Sequence, residues 1–489
     1  MKQSNNNTDT VSMLSGVGWS FAQRILPQLV TLLVSIVLAR LLSPEHYGII
    51  SIVSVFIAIG DALAIGGFGN ALIQKKDANK TDFNSICWVS LTVSMVIYTA
   101  LFISAPFMAR FYSAPILTPV IRVMGTKVVF SAFNSVQLAY VQKKMVFRKS
   151  FFSTVGGSLV SSVVGISMAL SGCGIWSLVA QHLSNAVIHT IVLFFMIDWK
   201  PELEVSWKSV KELWNYGAKV LGATLIFTVR DNIRTLLVGK RFSSSDLAYY
   251  NQGQKYPSLL VTDIVAALGN VLFPVMSKNQ TDIGKVKALM RNAICISSYV
   301  LLPAMAGLFA VSNTFVQVVL TDKWLPCVPF LRIMCLVYVT RSLSTIFQKA
   351  ILSIGKSSLN LIHEATTSTL TIALLFVAVF VFDSVIMIAF SQVAVTLVGV
   401  TLYVVWVRKL FGYSLREMLK DYLPPVAMSC VMTCVVMAVG MIPMPGVVKL
   451  VIQVLVGVAI YIGLSIIFKD ASYRWIKLYV VRLLHKKAE

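Results

Sequence analysis

Nine lysines and arginines lie inside stretches that otherwise read as membrane-spanning: Arg24, Arg122, Lys127, Lys219, Arg230, Arg234, Lys255, Arg332 and Arg341. Only four acids, Asp61, Asp231, Asp263 and Glu364, lie at comparable depth. A charge at the bilayer centre costs at least ~2.5–3.5 kcal/mol, so such residues persist where they face a wet cavity, pair up or handle a substrate. An excess of buried positive charge points to a cavity that receives something negative. Arginine suits phosphate because its planar fork engages two oxygens at once, whereas lysine supplies a point charge.

Other chemistries find little support in the residue pattern. His46, His182, His189, His363 and His485 are scattered, and none makes HExxH or another metal-ligand spacing. The seven cysteines are odd in number, form no CxxC and mostly sit in apolar segments, where they read as small buried hydrophobes. Gly355-Lys356-Ser357 looks like the end of a phosphate-binding loop, but Ala350 stands where that motif requires glycine. The external connections are short and carry no paired carboxylates for acid/base catalysis. A protein that is not an enzyme is therefore expected, with no metal and no organic cofactor. Without an ATPase, energy must come from an ion gradient, the membrane potential or consumption of product. Asp61, Asp263 and Glu364 are the acids that could bind H⁺ or Na⁺; pairing with the buried cations is the competing role.

These residues are carried by a chain of 489 residues, 57% hydrophobic and 13% charged, against about 25% charged residues in soluble proteins. Fourteen apolar segments are legible, at 14–39, 48–71, 84–107, 115–140, 151–171, 174–197, 214–237, 247–275, 290–313, 326–348, 359–381, 384–407, 423–441 and 447–468. Most are near the 20 residues that cross a ~30 Å hydrocarbon core as helix. The polar start lacks the features of a secretory signal, so the first segment is read as a retained helix. Of the 42 lysines and arginines, 27 fall on one set of connections and six on the other. The positive-inside rule then places both termini in the cytoplasm of a multi-pass membrane protein. The net charge of +22 is loop charge facing anionic lipid, not a nucleic-acid surface.

The two halves echo each other at an offset near 200 residues. Gly69-Asn70-Ala71-Leu72 recurs as Gly269-Asn270-Val271-Leu272, and Ala180-Gln181 parallels Ser391-Gln392. Six spans per half, both starting inside, make a parallel repeat about the membrane normal, and transport sites lie at such repeat interfaces. The expected organisation is a cytoplasmic N-terminus (1–13), an N-lobe (14–200), a cytoplasmic linker (201–213), a C-lobe (214–409), an extra helix pair (410–468) and an amphipathic cytoplasmic tail (469–489).

The wording of several segments narrows this. LARLLSPEHYGI (38–49), FGNALIQKKD (68–77), YVQKKMVFRKS (140–150), GIWSLVAQ (174–181) and the long run 248–280 resemble the polysaccharide transport family of the multidrug/oligosaccharidyl-lipid/polysaccharide (MOP) exporter superfamily. Within it the likeness is to exporters of lipopolysaccharide, teichuronic and colanic repeat units. The resemblance covers essentially the whole chain. It implies an all-α polytopic fold of about 14 transmembrane helices, two six-helix lobes in a V shape plus two C-terminal helices. The implied function is a flippase for undecaprenyl-pyrophosphate-linked oligosaccharide in the bacterial cytoplasmic (inner) membrane. Its implied partners are that cargo, membrane lipids, a polysaccharide polymerase and a chain-length regulator. A lipid II-type flippase and a cation-coupled drug or metabolite antiporter of the same superfamily are the alternatives, and a membrane polysaccharide polymerase is the outsider.

At ~1.5 Å per residue, Arg24 lies about 15 Å into its segment, with Gln28 one turn on. Lys255 lies about 12 Å into its own, with Asn251 one turn earlier. Arg230 and Arg234 share a helix face. Spans 1, 2, 7 and 8 surround the central cavity in the resembled superfamily, which favours Arg24, Arg230, Arg234 and Lys255 as pyrophosphate ligands. Arg122 and Lys127 are further candidates, and Gln28, Asn251 and Gln181 are expected as polar cavity lining. Lys219, Arg234 and Arg341 lie near span ends, where snorkelling to the interface is the simpler role.

Overall fold

The computed structural model describes residues 26–468, and every regular element among them is helical. The helices are α1 (Leu26–Leu41), α2 (Pro44–Ile65), α3 (Phe68–Gln74), α4 (Lys80–Phe111), α5 (Leu117–Lys144), α6 (Phe147–Leu170), α7 (Ile175–Met196) and α8 (Trp207–Arg241). They continue as α9 (Ser244–Lys278), α10 (Ile283–Phe315), α11 (Val328–Val339), α12 (Arg341–Ser353), α13 (Ser357–Phe380), α14 (Val385–Phe411), α15 (Leu415–Gly440) and α16 (Gly446–Ile467). With α2/α3 and α11/α12 each forming one broken span, these helices coincide with the fourteen expected segments over their described parts, the first of which begins at 26. Among the described residues, eleven spans are long and apolar enough to cross a membrane. The long helices outside that set are α5 and α8. They carry five of the embedded cations: Arg122, Lys127, Lys219, Arg230 and Arg234.

By packing, the chain divides into two compact units at Leu247/Ala248. In the first unit, α2 is interrupted by Gly66 and Gly67, whose φ angles of +56° and +71° are left-handed. Glycine occupies such positions without the steric penalty of a Cβ. The break turns the chain into α3 and seats Phe68 against Trp214 of α8, ring centroids 5.8 Å apart. α6 and α7 meet along a stripe of small residues that includes Ser153, Gly157, Ser161 and Gly165. Such stripes let helix backbones approach closely in lipid, with short side chains hydrogen-bonding across. Here Ser153 Oγ donates to the His189 carbonyl (2.6 Å) and Asn185 to Ser161 (3.3 Å).

At one end of this unit the connection between α7 and α8 is laced onto the start of α4. Trp199 Nε1 donates to Asn84 (3.1 Å), Trp88 Nε1 to the Glu202 carbonyl (2.8 Å), Thr81 to Glu204 (3.0 Å), and the Ser206 amide to Ser85 (2.8 Å). Lys75 bridges Asp82 and Glu212, each at 3.1 Å. Burial opposes its charge, but hydrogen bonds to those two carboxylates hold the Lys75 ammonium above the usual lysine range. At the other end His46 packs against Gly174, Tyr112 reaches the Leu236 carbonyl, and Lys240 reaches that of Phe111. Connections grouped by the charge count thus meet in space.

In the second unit, Arg291 of α10 grips Asp421 of α15 with two hydrogen bonds of 2.6 and 2.7 Å, and Lys287 pairs with Glu417 at 3.0 Å. Helix α16 packs on α10 through buried tyrosines. Tyr299 OH donates to Ser465 and Tyr461 OH to the Tyr299 carbonyl, both at 2.9 Å. Met276, Phe347, Ile351 and Tyr403 belong to a core shared by α9, α12 and α14.

Candidate functional site

Each unit places its own share of the expected site residues. In the first, Asp61 lies on α2, and the Lys127 charge and the Ser131 hydroxyl, both from α5, act on its carboxyl. Gly60 beside it brings the helices together, with a Cβ there standing 3.2 Å from Val128. One Asp61 oxygen, Oδ1, is buried without a hydrogen-bond partner among the described residues. Lys127 is therefore not an isolated cation but the neighbour of an acid.

Arg122 is half-buried and occupied locally. Its guanidinium lies 4.3 Å from the Phe102 ring centroid, and Nε donates to the Phe102 carbonyl at 3.4 Å. On α8, Arg230 pairs with its neighbour Asp231 at 3.5 Å and rests 5.1 Å from the Phe227 ring centroid. Arg234, one turn on, has a buried Nε with no hydrogen-bond partner among the described residues. A buried guanidinium donor left unmet is costly, and an anion would satisfy it. Gln181 is half-buried on α7 and packs on Gly165, where a Cβ would meet its side chain at 3.0 Å. Gln28 is half-buried on α1. Arg24 lies outside the described residues.

In the second unit, α9 carries Asn251 and Lys255 one turn apart, both half-buried. Lys255 has no ion-pair partner among the described residues. Its neighbours on the opposite face are fixed. Tyr250 receives a hydrogen bond from Gln392 of α14, Gln252 donates to Tyr256 (3.0 Å), and Gln254 reaches Tyr338 of α11 (3.5 Å). Gly253 permits the approach of α11: a Cβ there would stand 2.6 Å from Phe330 Cβ and 2.8 Å from the Leu331 amide nitrogen. The run Tyr250–Tyr256 therefore has one face locked by packing and another offering an amide and an ammonium. Asp263 is exposed, about 80° around α9 from Lys255 at 100° per residue. Glu364 is half-buried beside His363, which stacks on Tyr403 with centroids 3.9 Å apart, and its charge acts on both rings.

Among the described residues no cluster of three histidines, cysteines or acids could hold a metal ion. What the arrangement offers is cationic and amide donors on helix faces, a fit for phosphate oxygens and sugar hydroxyls. Sequence reasoning missed the glutamine–tyrosine lattice around α9; the alternation of polar and aromatic residues in that run was its visible signal.

A family model described as polysaccharide biosynthesis protein matches residues 37–329. The lipopolysaccharide biosynthesis protein WzxC of Escherichia coli (strain K12) is 25% identical over 336 residues, 67% of each chain. The teichuronic acid biosynthesis protein TuaB of Bacillus subtilis (strain 168) is 24% identical over 297 residues, 60% of this chain and 61% of its own. Among solved structures, the lipid II flippase MurJ in an inward closed conformation matches with a TM-score of 0.73 at 14% identity, covering 93% of this chain and 99% of that one. An inward-facing multidrug resistance transporter of the MATE family matches at 0.63 and 14%, covering 82% and 99%. At these identities the structural likeness shows the fold alone, and the apolar helices make it that of a multi-pass membrane protein.

Proposed function

We propose that this chain, which belongs to the polysaccharide biosynthesis protein family, is a flippase of the bacterial cytoplasmic membrane. It moves undecaprenyl-pyrophosphate-linked oligosaccharide repeat units from the inner to the outer leaflet by alternating access of two six-span lobes, 14–200 and 214–409, with both termini cytoplasmic. The products would pass to a polysaccharide polymerase and a chain-length regulator. The observation that carries the reading is Lys255, an embedded cation with no ion-pair partner among the described residues. A protein whose embedded cations were structural would have matched it with an acid. Arg234, with its unmet buried donor, supports the same reading, and Arg24, Arg230, Arg122 and Lys127 complete the proposed cationic lining. Gln28, Asn251 and Gln181 would serve the sugars.

For energy coupling, Asp61 is favoured over Asp263 and Glu364. It is partly buried, with one oxygen unmet and a cation beside it, so that binding H⁺ or Na⁺ there would change how Lys127 is held.

The test is complementation of a strain lacking its own exporter, with protein level checked by blotting. Losing one charge-assisted phosphate contact costs roughly 1.5–3 kcal/mol, about a 10- to 150-fold weaker grip. Arg24→Ala and Lys255→Ala should therefore reduce surface polysaccharide at normal expression. Arg24→Lys should keep part of the activity, since charge survives and the planar fork does not. Lys76→Ala and Lys420→Ala, at exposed positions, should be nearly silent. Full export by the Arg24→Ala/Lys255→Ala double variant would sink the cationic-cavity reading.

A further inference from the structure

A cavity of about 300 Å³ lies between α9 and α12, wholly inside the second unit. Thr262, Gly269 and Asn270 line it from α9, and Arg341, Gln348 and Lys349 from α12, with Thr345 between the two cations. No acid contributes to the lining. Neither cation has an ion-pair partner among the described residues. Arg341 instead rests 5.5 Å from the Tyr338 ring centroid and Lys349 5.6 Å from that of Phe273. The two cations are eight residues apart, about 12 Å along the helix, and Arg341 is exposed. A snorkelling role explains a cation that reaches water. It does not explain two converging on one cavity with amides and hydroxyls between them.

The helix contact looks built around Lys349. A Cβ on Gly269 would stand 3.2 Å from Lys349 Cε and 3.4 Å from Thr345 Cγ2, so the lysine stem passes close over α9 at this glycine. The repeat sharpens the contrast. In the first unit Gly69 faces α5, and Lys143 at the end of α5 is taken up by the carbonyls of Ile73 and Lys75 that close α3. In the second unit α9 continues through Gly269 to Lys278, with Pro274 inside it withholding the N–H that would pair the Asn270 carbonyl; Lys349 is tied to no carbonyl by a hydrogen bond among the described residues and lines the cavity.

Position adds direction. Lys255, Thr262 and Gly269 recur at seven-residue intervals, which places them on one face of α9. The cavity thus opens on the face that carries Lys255, about two turns or 10 Å further along from Thr262. Lys349 lies toward the end of α12 that leads to Lys356, and Gly269 and Asn270 toward the end of α9 that leads to Lys278, the lysine-rich side; Arg341, the first residue of α12, lies deeper. At ~30 Å³ per water, the volume admits roughly ten water-sized groups, enough for a diphosphate and not for the sugar chain behind it.

We propose that this groove is a diphosphate-binding site at the level of the cytoplasmic leaflet, where a lipid-anchored diphosphate docks before it reaches Lys255. Arg341 engages it with the planar fork, Lys349 supplies a point charge, and Thr262, Thr345 and Asn270 supply neutral donors. The cargo and the direction rest on the flippase reading above; the anion site itself does not. The same groove chemistry would also accept the phosphate of an ordinary anionic phospholipid, and the experiment separates the two.

The purified full chain is titrated with farnesyl diphosphate and, separately, with phosphatidylglycerol, and bound adducts are counted by native mass spectrometry. Arg341→Gln/Lys349→Gln should weaken farnesyl diphosphate binding by about ten- to a hundredfold, while Lys420→Gln leaves it unchanged. Arg341→Lys, which keeps charge and bulk if the double variant folds poorly, should lose severalfold because the fork is gone. Farnesyl diphosphate binding as tight as the parent's in either variant overturns the proposal. An equal loss for phosphatidylglycerol also overturns it, because the site would then hold a phospholipid headgroup. Export that survives Arg24→Ala/Lys255→Ala while the groove still binds farnesyl diphosphate counts against the flippase reading and not against this site.

Discussion

The break between α2 and α3 sets the course of α8, and hence the placement of Arg230 and Arg234; four glycine-to-alanine substitutions test this by separating two physical effects. Gly172 has φ +75° with nothing within 4 Å of a Cβ, so alanine there meets only the left-handed backbone penalty, about 1–2 kcal/mol. Gly253 is helical, but its Cβ would stand 2.6–3.0 Å from Phe330, Leu331 and Cys327. Alanine there should lose about 1–3 kcal/mol by overpacking. Gly67 combines both, with φ +71° and a Cβ 2.6 Å from the Gly217 carbonyl oxygen and 2.8 Å from Val220 Cβ, so its cost should approach their sum, about 2–5 kcal/mol. Gly69 has neither, its nearest neighbour being the Ser135 carbonyl oxygen at 3.7 Å, and as a helix residue it should gain up to about 1 kcal/mol. Apparent melting temperatures of the purified variants, at about 1 °C per kcal/mol for a chain of this length, should rank Gly69→Ala above the parent, then Gly172→Ala and Gly253→Ala, then Gly67→Ala. The export assay should fall with Gly67→Ala in the same strain. A Gly67→Ala protein no less stable than Gly172→Ala would refute the close approach of α8 at this break.

Three further outcomes follow from the same contacts. Arg291→Ala leaves the Asp421 carboxylate with the Tyr413 hydroxyl at 2.8 Å, and should lower the melting temperature by the equivalent of about 1.5–3 kcal/mol; Arg291→Lys should recover only part of it, because one ammonium cannot replace the paired contacts at 2.6 and 2.7 Å. Asp61→Ala and Lys127→Ala should be non-additive in a double-mutant cycle by about 0.5–3 kcal/mol, and strict additivity in melting measurements would mean the pair does not interact. Cys173 is exposed in the connection before α7; an impermeant maleimide should label it in intact cells, Cys173→Ser should abolish that signal, and Lys285→Cys should stay protected. Labelling of Lys285→Cys from outside would reverse the proposed orientation.

Much of the fold was legible because membrane helices announce themselves twice, by apolar length and by the charge of their connections. Each of the fourteen expected segments lies on helix over its described part. Even the breaks had local causes in the chain, such as Gly66-Gly67. The site was harder to read, because depth along a segment says how costly a charge is but not which way it points. Lys127 and Arg122 looked alike in the sequence. One stands beside Asp61 across a helix contact, and the other is bound to the carbonyl and ring of Phe102. Those partners lie on helices α2 and α4, which no spacing rule within α5 could reveal.

The repeat shows the same limit from the other direction. Gly69-Asn70 and Gly269-Asn270 are matched in sequence, and both glycines face the second span along, α5 in one unit and α12 in the other. Yet the first motif sits in the short α3 that follows a left-handed break, and the second lies within a continuous α9. The break exposes carbonyls that Lys143 satisfies. Along the continuous α9, Lys349 makes no such carbonyl contact among the described residues and lines a cavity shared with Arg341. Equivalent letters thus serve closure of the backbone in one half and an open cationic groove in the other. An internal duplication freed from identical constraints would diverge in this way, keeping the helix contact that builds the fold while changing what the cation beside it is there to hold.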